Sequence, residues 1–110
     1  MKVVAVFEDL LLGSNVLGML NAAGHDAQLT NAANADPTGA DVMIIDLQST
    51  DGPALVHRLK PEGVKLLGVY SHVDAETKTK AEAAGFDLVV PRSRMAREGA
   101  SLVDRLSGGD

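Results

Sequence analysis

Val42-Met43-Ile44-Ile45-Asp46 decides the fold. Four apolar residues in a row, without polar alternation, read as a strand covered on both faces, and an acid stands where the strand ends. Val3–Phe7 repeats the pattern and is followed by Glu8-Asp9. Lys65–Val69 leads to Ser71-His72, and Leu88–Val90 leads through Pro91 to Arg92. Ala27–Leu29 is a weaker strand. Short apolar strands, each leaving a polar residue at its carboxyl end, are the pattern of a parallel sheet.

Helical spacing fills the gaps. Val16, Leu17, Leu20 and Ala23 form one stripe, and Gly24 stands where a left-handed C-terminal cap belongs. Pro53 suits a first helical position before Leu55, Val56 and Leu59, with Pro61 and Gly63 closing that segment. Asp74 is placed to cap a helix through Ala84, stopped by Gly85. Ser93 is placed to cap a last helix with Met95, Leu102, Val103 and Leu106 as its buried stripe. Thr30–Ala40 fits either a short helix or a loop. Ala22-Ala23-Gly24-His25-Asp26-Ala27 and Ala83-Ala84-Gly85-Phe86-Asp87-Leu88 write the same helix-end, turn and strand-start twice. Strict βα alternation requires right-handed crossovers and a parallel sheet between helix layers. The expectation is one doubly wound five-stranded α/β domain over residues 1–106, with residues 107–110 a flexible tail.

Composition narrows the functions. The 110 residues carry ten Lys plus Arg against fifteen Asp plus Glu, a formal charge of −5. That balance argues against nucleic acid as a partner, because phosphate neutralisation needs a basic face. With no cysteine there is no disulfide, thiolate metal site or thiol nucleophile. Val3–Phe7 is far too short to span a membrane, so a cytoplasmic protein without membrane attachment is expected. Phe7, Tyr70 and Phe86 are the only aromatics, too few for a flavin or base-stacking site. No G-x-x-x-x-G-K phosphate loop occurs, and the Asp-x-His-x-x-Gly signature of cobalamin domains is absent.

In such a sheet the ligand crevice lies beyond the strand carboxyl ends. Glu8, Asp9, Asp46, Ser71 and Arg92 all fall there. Three converging carboxylates repel unless a hard cation joins them, and Mg²⁺ takes one or two carboxylates with waters and phosphate oxygens. Asp46 could then act as a carboxylate nucleophile toward a phosphoryl group, with Ser71 donating to it and Arg92 forming a charge-assisted fork. Plainer roles exist for each. Asp9 and Asp46 are also good helix or turn caps, and Ser71 is an ordinary loop residue. His72 is a loop histidine or a gate over the acids; His25 and His57 read as surface residues. Arg92, Arg94 and Arg97 crowd an early helical turn, against the macrodipole. They form either a partner face for an anion or acidic surface or internal pairs, with Arg92 on the acids and Arg94 and Arg97 on Glu98 or other exposed acids.

Glu8-Asp9, Val42–Asp46, Ser71 and Ala84-Gly85-Phe86-Asp87 together resemble the receiver domains of bacterial response regulators over essentially the whole chain. The resemblance implies the flavodoxin-like strand order 2-1-3-4-5. It implies Asp46 as acceptor of a phosphoryl group from a histidine kinase or phosphotransfer protein. Mg²⁺ would be held by Glu8, Asp9, Asp46 and the backbone carbonyl of Gln48. Ser71 and a strand-five Lys would engage the phosphoryl oxygens. The chain differs in having Arg92-Ser93 for Lys-Pro, His72 after the hydroxyl, Val89 at the usual aromatic position, and an early Asp51-Gly52 after Asp46. Two functions follow. One is a stand-alone receiver whose only chemistry is self-phosphorylation and autodephosphorylation at Asp46, with output through contact with another protein or a second copy. The other is a pseudo-receiver that binds partners without phosphorylation.

Overall fold

A computed structural model describes residues 2–36, 38–48, 54, 63–71 and 74–108, with backbone alone for 32, 107 and 108. The elements run β1 (Lys2–Val6), α1 (Leu10–Ala22), β2 (Asp26–Thr30), β3 (Val42–Asp46), β4 (Lys65–Tyr70), α2 (Ala75–Ala84), β5 (Leu88–Pro91) and α3 (Arg92–Gly108). The five strands pair in parallel in the order β2-β1-β3-β4-β5, the doubly wound arrangement expected. Of the helix expected from Pro53 through Leu59, Ala54 alone is among the described residues, where it is helical; His57 and His72 lie outside them.

Alternation along β3 shows why its sequence lacks polar residues. Val42 and Ile44 join one buried cluster with Val16 and Leu20 of α1 and Met95, Leu102 and Val103 of α3. Met43 and Ile45 join the other, with Leu66, Val89, Phe86 and Ala81 of α2. All five residues of β3 are buried, Asp46 included. A strand with two apolar faces must be apolar at every position.

The repeated hexapeptide folds as the same turn twice. Gly24 and Gly85 both take positive φ, +93° and +114°. In each the glycine N–H reaches back three residues, to the carbonyl of Asn21 or Glu82. The next N–H reaches back five, from His25 to Leu20 and from Phe86 to Ala81. These are the paired bonds of a Schellman cap.

Three local expectations are corrected or decided. Thr30 ends β2, and the described residues from there to Ala40 form a loop with one 3-10 turn, Ala32–Asn34, capped by the Asn31 side chain. Ser93 does not cap the last helix. α3 follows β5 directly, so Arg92 is already helical and Ser93 sits exposed within the first turn. His25 is not a surface residue: the Gly24 turn folds it inward, and its side chain is 9% exposed with Nε2 2.9 Å from Asp104 of α3. The helix α3 runs on to Gly108, and residues 109–110 lie outside the described residues.

Candidate functional site

The strand register carries the candidate residues to one rim. Val6 pairs with Ile45 and Asp46 with Val69, so the tips of β1, β3 and β4 stand level. Leu47 N–H continues the ladder to the Val69 carbonyl at 2.8 Å. Asp46 is wholly buried, and its Oδ1 accepts the Gln48 N–H at 3.1 Å, turning the chain away from the sheet. Gln48 itself is exposed.

Arg92 closes the rim from the other side. Its Nη2 lies 3.4 Å from Oδ1 and 3.3 Å from Oδ2 of Asp46. Nη1 lies 3.7 Å from Oδ2 of Asp9. Arg92 can reach because it is the first residue of α3 and that helix starts as β5 ends. Asp9 has a second task. Its Oδ1 accepts the N–H groups of Leu11 and Leu12, both at 3.1 Å, as the N-cap of α1. The capping role and the acidic-rim role weighed from the sequence coexist in this residue.

Glu8 follows β1 at the same end of the sheet. It is exposed, and it lines a cleft of about 520 Å³ with Phe7, Leu10, Leu29, Thr30, Asn31 and Asn34, a lining without Asp9 or Asp46. Among the described residues, no three His, Asp or Glu side chains are gathered as metal ligands would be. In this arrangement the buried acid faces a guanidinium, and one oxygen each of Asp9 and Asp46 accepts from backbone donors.

Ser71 is half-buried beyond β4, and its carbonyl accepts the Asp74 N–H at 2.9 Å, seating the start of α2. Asp74 caps α2 by accepting from the backbone and hydroxyl of Thr77, and these bonds hold its carboxyl below the usual aspartate range. Arg94 and Arg97 share the Glu98 carboxylate at 3.5 and 3.3 Å, the internal pairing weighed from the sequence.

One feature of this end escaped the sequence reading. Leu10 and Leu11 are 67% and 77% exposed, the large hydrophobics left uncovered among the described residues. The signal was present: successive helical residues point about 100° apart, so Leu10-Leu11-Leu12 cannot all face one core. The α1 sequence Leu10–Ala22 also contains no charged residue.

No family model and no curated protein matches the chain in sequence. Solved structures match its shape over nearly its whole length. A receiver domain of a Francisella response regulator superposes with TM-score 0.79 at 18% identity, covering 98% of this chain and 97% of that one. An orphan response regulator of H. pylori gives 0.82 at 17%, covering 96% and 95%. An atypical orphan response regulator, described as having a phosphorylation-independent regulatory mechanism, gives 0.82 at 16%, covering 98% and 96%. The fold is that of response regulator receiver domains, orphan and atypical ones among them.

Proposed function

We propose that the chain is a receiver-like signalling module that works by protein contact without phosphoryl transfer. The observation behind this reading is the Asp46–Arg92 pair: the carboxylate at the phosphoacceptor position is fully buried and already faces the Arg92 guanidinium across both oxygens. The contact surface on offer is the apolar patch of Leu10 and Leu11 on an uncharged helix; Arg94 and Arg97 are paired with Glu98. The partner is another protein or a second copy of the chain; membrane attachment is not part of the proposal, and no described helix is long and apolar enough to cross a bilayer.

A second reading is favoured by position alone. Asp46 ends β3 beside the Ser71 end of β4, where a phosphoryl group from a histidine kinase or phosphotransfer protein would arrive. In that reading Asp46 is the acceptor, Ser71 and Arg92 bind the phosphoryl oxygens, and Mg²⁺ joins through Glu8, Asp9, Asp46 and the Gln48 carbonyl. It requires Arg92 to leave Asp46 first.

Acetyl phosphate treatment with Mg²⁺, followed by intact-mass measurement, separates the two. The first reading expects no phosphoryl adduct, and no beryllofluoride-induced shifts in the amide spectrum. A stable adduct lost in Asp46→Asn would replace it with the second.

A further inference from the structure

We infer that Met19 is an oxidative modification site: a peroxide converts its thioether to a sulfoxide, and the sulfoxide loosens α1 from α3. The inference goes beyond the proposed function and holds however the chain signals.

Its starting point is a glycine that helix propensity does not explain. Gly99 lies within α3 and is buried. Glycine inside a helix is less favourable than alanine, so its presence there asks for a packing reason. A Cβ at this position would fall 2.8 Å from Cε of Met95 and 3.4 Å from Sδ of Met19, and closer still to Cε of Met19. Two thioether side chains therefore fill the space that an alanine methyl would need. One comes from α3 itself and the other reaches across from α1.

The methionines differ in access. Met43 and Met95 are wholly buried, whereas Met19 is half-buried at the edge of the cluster that holds Val16, Leu20, Leu102 and Val103. Met1 lies outside the described residues. Among the described methionines, Met19 alone keeps exposed surface.

Hydrogen peroxide can supply the oxygen. A sulfur lone pair of Met19 attacks one peroxide oxygen, the S–O bond forms, the O–O bond breaks and water leaves; sulfur is oxidised and peroxide reduced. The product brings a polar oxygen to a seam that is poor in donors. α1 contains no charged residue, Gly99 has no side chain, and the Met95 thioether cannot donate. Backbone N–H groups in the middle of both helices are spent on carbonyls four residues back. A polar group left without a partner costs stability unless it reaches water. The sulfoxide therefore turns outward, and the cleft over Gly99 loses half its filling.

The test is peroxide treatment of the full chain, with tandem mass spectrometry to place the added oxygen and the thermal midpoint to read its effect. Met19 is expected to be oxidised in the folded chain, and Met43 and Met95 only once urea unfolds it; Met1 is scored separately. The oxidised chain is expected to melt at least ~4 °C lower, and a methionine sulfoxide reductase to restore the midpoint. Met19→Leu, similar in volume, is expected to keep its midpoint through the same treatment, which separates Met19 from Met1. Met19→Gln places a polar group at the seam and is expected to melt lower with no oxidant. Gly99→Ala is expected to melt lower although alanine is the better helix former. Oxidation of Met43 or Met95 ahead of Met19 overturns the inference, as does a Met19 sulfoxide that leaves the midpoint unchanged. So does a peroxide-treated Met19→Leu chain that loses as much as the unaltered one, or a Gly99→Ala chain that melts higher.

Discussion

Asp74 shows how much one side chain can set at the edge of this site. It stands between the Ser71 carbonyl and the first turn of α2, and both its oxygens accept from Thr77. The hydroxyl bond is the larger cause of its lowered pKa, the backbone bond the next. A folded pKa below the unfolded one means the cap stabilises fully above the ordinary Asp value of about 3.9 and loses that contribution as pH falls through the folded value. Thr77→Ala is therefore expected to raise the Asp74 pKa and to flatten the acid limb of stability at and below the ordinary Asp value. Carboxyl NMR titration with urea midpoints across that range checks both; an Asp74 titration unchanged in the variant would contradict the assigned cause. At this scale the sequence was readable wherever a residue acts through its neighbours in the chain. Asp74 and Gly24 are such residues. Arg92 was readable as a cation near acids, but whether it pairs with Asp46 depends on α3 starting without a spacer after β5. His25 was unreadable, because Asp104 lies 79 positions away by their residue numbers and only packing brings α3 over the turn.

Each helix-to-strand joint is a unit of its own, and the two Schellman turns make that testable. Gly24 and Gly85 occupy φ values that cost an L side chain roughly 1–2 kcal/mol. A methyl at Gly24 would meet no other atom within 4 Å, so the expected loss there is conformational and not steric. Gly24→Ala is expected to lower stability by about 1–2 kcal/mol in urea unfolding, and Gly24→Asn by less, since Asn tolerates this region. Equal losses for Ala and Asn would point to a cause other than backbone conformation. Element positions were legible from exactly this punctuation of glycines, caps and apolar runs, and the central strands were legible from their unbroken hydrophobicity. The start of α1 was not, because its first turn is built from leucines that face solvent; the cue there was Asp9, a cap and a site residue at once. The start of α3 was misplaced by two residues for a related reason: Ser93 has the chemistry of a cap, but the helix begins at Arg92, directly after the strand.

Across the whole molecule the sheet acts as a partition. The cluster beneath α1 and α3 and the cluster beneath α2 share the strands but take alternate side chains from them. That division places the Arg92-bearing helix in one compartment and the Ser71–Asp74 edge leading to α2 in the other, with Asp46 at the rim where both meet. A charge event at Asp46 could therefore reach either layer, and the layers should respond separately unless the strand tips couple them. Core substitutions measure that coupling directly. Leu102, 1% exposed, packs in the first cluster, and Phe86, 7% exposed, in the second. Leu102→Ala is expected to cost about 2–5 kcal/mol and Phe86→Leu about 1–2 kcal/mol, through lost contacts and residual cavity. Sites with no shared partners add to within about 0.5 kcal/mol, so the double variant should lose the sum. Urea denaturation of the four proteins under one set of conditions closes the cycle. A shortfall well beyond that margin would mean the two layers relax together through the sheet, and the separation of an α3 response from an α2 response would fail with it.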